Sequence, residues 1–380
     1  MKALSKKPII ITALISAVST MLLCFAVHLF TMPDADRVKF LISSSYAGDM
    51  SEADLEAGAV RGMVEALGDP YSVYFDEEEY AMFMEEMDAN YTGIGIEVQM
   101  KDGRMEVVTP FPDTPASAAG LLSGDILLKV NDLEITADTY AEAISYMRTG
   151  EKDADSAPIT LTVLRGEETL TLTVSRSKIQ LDTVEYKEIN DVAYIRIRSF
   201  DSPTAGETAA AIEKAERNNV RGLVIDVRDN PGGYLDTVTG IADALLPRCT
   251  VVYTENKKGE RESLYESDEA CTELPIVLLI NENSASASEV LAGALKDNGR
   301  AVLVGQKTYG KGSVQSLYKL QNGGVKLTVA HYYTSGGYII DGNGIAPDHA
   351  VENPEDGTDL QLRKALELLQ PVANQENTDI

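Results

Sequence analysis

The sequence has few of the residues on which metalloenzymes and histidine-dependent hydrolases rely. Its 380 residues include 3 histidines, 3 cysteines and no tryptophan. No HExxH or other two-histidine metal motif is present, and three cysteines cannot form a zinc ribbon. His28 lies in an apolar run, so a Ser-His-Asp triad would have to recruit His331 or His349. We therefore expect a protein that works without a metal and without a cofactor.

Positive charge is also scarce. Lysine and arginine number 33 against 60 aspartates and glutamates, which gives a net charge of −27. A surface this acidic repels phosphate backbones, which excludes nucleic acid as a partner. Hydrophobic residues make up 44% and charged residues 24%, as in globular proteins, and the length predicts two or three domains.

One long segment carries no acidic or basic side chain apart from His28, which is taken as neutral. Residues 8–30 would form a helix of about 35 Å, enough to cross a bilayer core. Lys2, Lys6 and Lys7 precede it, so the positive-inside rule predicts a cytoplasmic N-terminus and residues 31–380 outside a bacterial cell membrane. The alternative is a cleaved secretory signal, but residues 27–32 offer no small-x-small cleavage site. The sequence favours a single-pass anchor over residues 1–31.

Outside the membrane, disulfides are permitted. Cys249 and Cys271 flank a polar stretch and could close a surface hairpin. The alternative is two separate, small apolar residues.

The rest of the chain predicts an α/β and α+β multidomain protein. Residues 35–90 are helical in pattern, with Ser51 as an N-cap and a second helix over 77–87, and form a scaffold or a homodimer contact. Residues 91–178 form a β-rich module with strands at 94–98, 104–109, 126–130 and 159–165 and a helix at 140–148. Strands and helices alternate over 179–350, which predicts a mostly parallel sheet, and residues 351–380 add a last helix and a tail.

A run of small hydroxylated residues joins a predicted buried strand, 276–280, to a predicted helix. It contains Ser284, Ser286 and Ser288. A serine hydroxyl at such a junction can be held exposed, with the helix N-terminal N–H groups nearby as oxyanion donors. The same residues, Ser286 to Glu289, fit a capping box, which starts many helices without any chemistry. The pattern alone does not choose between the two, or among the three serines.

A reactive serine needs a base, and a neutral lysine can serve where histidines are few. Lys311 lies between Gly310 and Gly312, which let the backbone fold tightly around it. Burial would lower its pKa, whereas an ordinary loop lysine would be solvated and inert. Gly232 and Gly233 follow another predicted strand and could aim backbone N–H groups at an oxyanion.

Taken together, these segments resemble the C-terminal (tail-specific) processing peptidases, serine proteases with an inserted PDZ domain. The matching residues are 67–72, 91–96, 117–121, 124–127, 228–233, 284–289, 305–315 and 341–348. Their order and spacing hold from about residue 36 to 369. The fold that the resemblance implies is a helical N-terminal region, a PDZ domain and an α/β core of the ClpP/crotonase type.

The resemblance also assigns roles. It implies Ser286 as the nucleophile, Lys311 as the general base and Gln315 as the residue that orients the lysine. Amides of Gly232 or Gly233, together with that of Ala287, would form the oxyanion hole. Asp297 is interpreted as a structural partner. Asp229 is the main local departure, at a position where asparagine or another polar residue would be equally familiar.

In the PDZ domain, the resemblance makes residues 93–96 the loop that takes a terminal carboxylate. Ile94, Ile96 and Met147 would line an apolar pocket beside Gly93 and Gly95, unless the two isoleucines are simply core. The implied function is a membrane-anchored, extracytoplasmic endopeptidase for proteins with apolar C-termini. The alternatives are a catalytically silent PDZ scaffold and an acyl-CoA hydratase-like enzyme, the latter a fold-level analogy.

Overall fold

The computed structural model describes residues 15–24, 27, 31–101, 103–148, 157–354 and 356–370. It divides into two units, Met1–Asp76 and Glu77–Ile380. Within the described ranges no helix has both the length and the apolarity needed to cross a bilayer. Much of the predicted anchor, including residues 8–14, 25–26 and 28–30, lies outside those ranges, so the anchor stays a prediction.

The first unit contains helices α1 (Asp34–Ser45) and α2 (Glu52–Glu65) and the short strand β1 (Val73–Phe75). The predicted N-cap is confirmed, because Ser51 Oγ accepts a hydrogen bond from Asp54 N–H at 3.0 Å. The guanidinium of Arg61 lies 5.3 Å from the ring centroid of Tyr74. Strand β1 was not expected in a region whose pattern is helical.

The second unit holds the remaining elements. Its helices are α3 (Glu77–Met87), α4 (Pro115–Ala118), α5 (Tyr140–Arg148), α6 (Thr204–Arg217), α7 (Leu235–Leu245), α8 (Ala287–Asp297) and α9 (Leu360–Leu368). Its strands are β2 (Asn90–Gly93), β3 (Ile96–Lys101), β4 (Arg104–Pro110), β5 (Ile126–Val130), β6 (Leu133–Glu134), β7 (Ile159–Arg165), β8 (Glu168–Val174), β9 (Ser177–Gln180), β10 (Val184–Ile189), β11 (Val192–Ile197), β12 (Leu223–Asp226), β13 (Thr250–Asn256), β14 (Arg261–Glu266), β15 (Ile276–Ile280), β16 (Ala301–Gly305), β17 (Ser313–Lys319), β18 (Gly324–Thr334) and β19 (His349–Ala350).

A β-rich module comes first in this unit. Its main sheet has the order β3-β4-β5-β7-β8, with β6 beside β5, and β2 pairs with β9. The strand predicted over 94–98 is wrong in its start, because the chain turns at Gly95 with φ +82° and β3 begins at Ile96. A Cβ on Gly95 would lie 2.4 Å from Thr114 Cβ, so only glycine fits this turn.

An α/β core follows. Its sheet has the order β10-β11-β12-β15-β16-β19, and every pair is parallel except β10 with β11. The predicted mostly parallel sheet is thus confirmed. Ile225 and Leu278 pack on one face of the sheet, which α6, α7 and α8 cover. Val224 and Leu279 pack on the other face with Ala365 of α9. Burial on both faces explains why these strands are continuous apolar runs.

A second, antiparallel sheet of the core was not expected. Strands β17, β18, β13 and β14 pair in that order. The predicted disulfide is not present in this structure, where Cys249 and Cys271 are both free thiols. Cys249 instead contacts Ser267: its N–H donates to Ser267 Oγ at 3.1 Å, and its Sγ lies 3.4 Å from the same oxygen.

Candidate active site

Three loops meet at one edge of the parallel sheet. Strands β12, β15 and β16 are neighbours and run in the same direction, so the segments that follow them leave from the same edge. These segments carry Gly232 and Gly233, the three serines, and Lys311. The structure therefore brings together the three parts of the chain that the sequence singled out.

The three serines of the strand-to-helix junction differ in their contacts. Ser284 and Ser288 are fully buried. The Ser284 hydroxyl donates to Val227 O at 2.7 Å, and the Ser288 hydroxyl donates to Asn230 O at 3.0 Å. Ser286 is only partly buried and caps α8 with φ +56°, a left-handed conformation that non-glycine residues rarely adopt. Such strain is typical of a nucleophile on a sharp strand-to-helix turn.

Glu289, three residues later, connects the serine segment to the lysine segment. Its carboxylate is fully buried and accepts four hydrogen bonds. Oε2 accepts from the N–H groups of Ser286 (2.9 Å) and Lys311 (2.8 Å). Oε1 accepts from the Thr308 hydroxyl (2.6 Å) and Gly310 N–H (2.7 Å). Burial raises the pKa of Glu289, and the four donated hydrogen bonds oppose that rise.

Lys311 is partly buried in the loop between β16 and β17. Burial lowers its pKa, and the neighbouring ammonium of Lys326 lowers it further, while Glu289 acts in the opposite direction. The lysine is thereby moved toward the neutral form that a general base requires. The Gln315 amide donates to Ser313 O at 3.1 Å, Ser313 Oγ at 2.9 Å and Thr328 Oγ1 at 3.4 Å. The orienting role of Gln315 toward Lys311 stays a prediction.

The glycine loop, residues 228–233, lies against Ser286. A Cβ on Gly232 would lie 2.8 Å from Ser286 Cβ and 3.1 Å from Ala287 N. Gly232 N–H donates to the side-chain oxygen of buried Asn230 at 2.8 Å. Within the described part of the chain, neither Gly233 N–H nor Ala287 N–H donates a hydrogen bond. Of the two glycines, Gly233 is therefore the one with an N–H available to an oxyanion.

The sequence did not indicate the contacts that two residues of the site make. Glu289 was expected only as the last residue of a capping box, and its contact with Ser286 N–H shows that the capping interaction and a partly buried serine coexist. Asn230 lay inside a matched motif, but nothing in the sequence indicates that its side chain accepts a hydrogen bond from Gly232 N–H.

Asp297, interpreted as a structural partner, accepts from Gly336 N–H at 2.7 Å. Among the described residues, no group of three His, Cys, Asp or Glu side chains could hold a metal ion.

The residues predicted for peptide binding lie in the β-rich module. Ile94 and Met147 are 2% and 3% exposed and pack into its core, and Ile96 is partly buried against it. Ile94 O accepts from Ala116 N–H at 2.9 Å, and Gly95 O accepts from Phe111 N–H at 3.0 Å. Strand β3 forms one edge of the sheet, the position where a peptide could add as a further strand.

Comparisons with known proteins agree with this arrangement. Three family models match: "Peptidase family S41" over residues 191–351, "PDZ domain" over 92–175 and "Activating protease CtpB N-terminal domain" over 31–79. A "Carboxy-terminal-processing protease" from Bartonella bacilliformis is 37% identical over 322 residues, covering 82% of this chain and 73% of the relative. A "Probable CtpA-like serine protease" from Staphylococcus saprophyticus is 34% identical over 327 residues, covering 85% of this chain and 66% of that protein.

Solved structures give the same result. The "Photosystem II D1 C-terminal processing protease" superposes with a TM-score of 0.51 at 27% identity, covering 83% of this chain and 86% of its own. A putative S41 protease from Bacteroides fragilis, at 16% identity, shares the fold with a TM-score of 0.52, over 86% of this chain and 92% of its own. The chain belongs to peptidase family S41 and is a serine-type peptidase of the carboxy-terminal-processing group that carries a PDZ domain.

Proposed function

We propose that the protein is an extracytoplasmic endopeptidase of the bacterial cell membrane that cleaves proteins after its PDZ domain has bound their apolar C-termini. Ser286 is its nucleophile and Lys311 its general base. The observation that carries the proposal is the position of Ser286. Of the three serines at the junction it alone is not fully buried, and its N–H shares the Glu289 carboxylate with that of Lys311.

The chemistry follows from these positions. Neutral Lys311 takes the proton of the Ser286 hydroxyl as Oγ attacks the carbonyl carbon of the substrate. The carbonyl oxygen becomes an oxyanion that accepts hydrogen bonds from Gly233 N–H and Ala287 N–H. The lysine then gives its proton to the leaving amine, and water hydrolyses the acyl-enzyme by the reverse sequence. Gln315 orients the lysine in this scheme.

Substrate selection belongs to the PDZ domain. A terminal carboxylate would bind the loop of residues 93–96, and the peptide would add to the edge strand β3. The uncharged segment 8–30 supports an anchor that holds the catalytic unit outside the cytoplasm. The proposal also includes a homodimer. Light scattering on the detergent-solubilised protein should then give twice the mass of one chain.

The test uses the full chain in detergent on unstructured peptides that end in apolar residues, with free or amidated termini. Wild type, Ser286→Ala and Lys311→Ala are compared. We expect both substitutions to abolish cleavage and amidation to weaken cleavage by wild type. Cleavage that survives Ser286→Ala would overturn the nucleophile, and equal cleavage of both peptide forms would overturn carboxylate capture. A wild type that binds the free terminus but never cuts it would favour the silent scaffold.

A further inference from the structure

A buried ionic network joins the C-terminal helix to the glycine loop. The Arg228 guanidinium, 12% exposed, forms paired hydrogen bonds with two carboxylates. Toward Asp226, Nε donates at 2.9 Å to Oδ1 and a terminal nitrogen donates at 2.6 Å to Oδ2. Toward Asp359, the two terminal nitrogens donate to Oδ1 and Oδ2, both at 2.9 Å. Arg228 also donates to Gln361 Oε1 at 2.9 Å.

The two carboxylates belong to distant parts of the chain. Asp226 is the last residue of β12 and is fully buried, and Tyr194 also donates to it at 2.8 Å. Asp359 is the N-cap of α9, where its Oδ1 accepts from Leu362 N–H at 2.9 Å. The arginine is therefore fixed on one side by the sheet and on the other by the C-terminal helix. Bidentate pairs of this kind fix geometry as well as adding energy.

Arg228 is the first residue of the glycine loop, which would hold the oxyanion. Asn230, two residues later, fixes Gly232 N–H through its side chain, and Asn230 O accepts from Ala285 N–H at 3.0 Å. No residue of α9 belongs to the three segments that form the site. A movement of Arg228 would nevertheless pass through two peptide units to Asn230, and through the Asn230 side chain to Gly232 N–H beside Ser286.

We infer that Asp359 and Gln361, at the start of α9, are positioning residues of the peptidase: acting through Arg228, they hold the glycine loop where Gly233 N–H meets the oxyanion. This inference rests on the proposed oxyanion hole. It makes the C-terminal segment a part of the catalytic apparatus and not only a cover over one face of the sheet. Holding the loop in place should stabilise the transition state and leave the affinity for substrate largely unchanged.

The deciding variant is Asp359→Asn in the full chain. Asparagine keeps the oxygen that caps Leu362 N–H but replaces the second oxygen with an NH₂ group facing the Arg228 guanidinium. Arg228→Lys removes the paired hydrogen bonds from the other side. The matched control is Arg300→Lys: Arg300 donates to the carbonyl oxygens of Leu245, Thr272 and Leu274 and lies just before β16, at the opposite edge of the sheet.

Four quantities are measured for each variant: kcat, KM, the affinity for a peptide boronic acid that forms a tetrahedral anion with serine, and the thermal unfolding midpoint. We expect Asp359→Asn and Arg228→Lys to lower kcat and boronate affinity together, by about 10- to 100-fold, with little change in KM. The double variant should have a kcat no lower than that of the less active single variant, because both changes break the same network. Arg300→Lys should lower the unfolding midpoint and leave kcat unchanged.

The inference is overturned if Asp359→Asn leaves kcat and boronate affinity at wild-type values. It is equally overturned if kcat falls without boronate affinity, or if Arg300→Lys with the same loss of stability lowers kcat as much. If Arg228→Lys does not fold, Asp359→Asn decides alone. Labelling with a fluorophosphonate separates this result from the proposed function: a wild type whose Ser286 is not labelled refutes the nucleophile, whereas labelled wild type with fully active variants refutes only the positioning role.

Discussion

Ser286 and Lys311 donate their backbone N–H groups to one carboxylate oxygen, Oε2 of Glu289, at 2.9 and 2.8 Å. The two residues are 25 positions apart, yet their main chains are fixed to the same atom. Thr308 and Gly310 donate to the other oxygen of that carboxylate. Glu289 thus sets the spacing between the proposed nucleophile and the proposed base.

The first prediction concerns Glu289→Gln. Glutamine offers one acceptor and one NH₂ group, so two of the four donors would face another donor in a buried site. We expect a loss of about 2–4 kcal/mol in the free energy of unfolding. We also expect kcat/KM to fall by at least about 100-fold, because a displacement near 1 Å is enough for such a loss. Glu282→Gln, an exposed glutamate of the same loop, is the control. Wild-type kcat/KM in Glu289→Gln would refute the spacing role.

The second prediction separates the three serines. Ser284→Ala and Ser288→Ala each remove a buried hydrogen bond to a main-chain oxygen. Each should cost about 1–2 kcal/mol in denaturant unfolding and retain cleavage within about tenfold of wild type. Ser286→Ala should abolish cleavage and leave stability nearly unchanged, because alanine keeps the Cβ at this left-handed position and removes only a partly buried hydroxyl. Complete loss of cleavage in a stable Ser284→Ala or Ser288→Ala protein would contradict the assignment.

The sequence predicts best the elements that local chemistry decides. The strand over Ile276–Ile280 has the predicted bounds, and the predicted helix follows it as Ala287–Asp297, because apolar runs and capping residues are local signals. The antiparallel strands β13, β14, β17 and β18 were not predicted. Their residues are mixed and partly exposed, and their pairing joins segments far apart in the chain.

The candidate site shows the same limit. Local pattern placed a serine at a strand-to-helix junction and a lysine between Gly310 and Gly312, and the structure brings both segments to one edge of the sheet. The pattern could not show that the Glu289 carboxylate accepts hydrogen bonds from residues 308–311. Nor could it show that the Asn230 side chain accepts from Gly232 N–H while Gly233 N–H stays available. These contacts depend on tertiary closure, for which the S-x-x-E spacing was the only local signal.

The third prediction concerns pH. A general base acts when neutral, so kcat/KM should rise as pH rises through the pKa of Lys311. The charge of Lys326 lowers that pKa. Lys326→Met removes the repulsion, so the pKa of Lys311 should rise and the ascending limb of the pH–rate profile should move to higher pH. Lys326→Arg keeps the charge and should keep the wild-type profile, as should Lys319→Met on the neighbouring strand. A limb that stays in place in Lys326→Met, or moves to lower pH, would exclude this tuning.

The last prediction isolates the PDZ loop from the peptidase core. Gly95→Ala places a Cβ in a left-handed turn and 2.4 Å from Thr114 Cβ, whereas a Cβ at Gly166, also left-handed, meets nothing within 4 Å. Both alanines carry a similar backbone cost of about 1 kcal/mol, so any larger effect of Gly95→Ala reports the collision. We expect Gly95→Ala to lose at least about tenfold in affinity for a peptide with a free apolar C-terminus, measured by fluorescence anisotropy, while Gly166→Ala binds normally. The rate at which a small fluorophosphonate labels Ser286 should be unchanged in both.

If Gly95→Ala binds the peptide as wild type does, the loop of residues 93–96 is not where the carboxylate binds. If the labelling rate falls together with the peptide affinity, the loop and Ser286 are coupled even without a bound peptide.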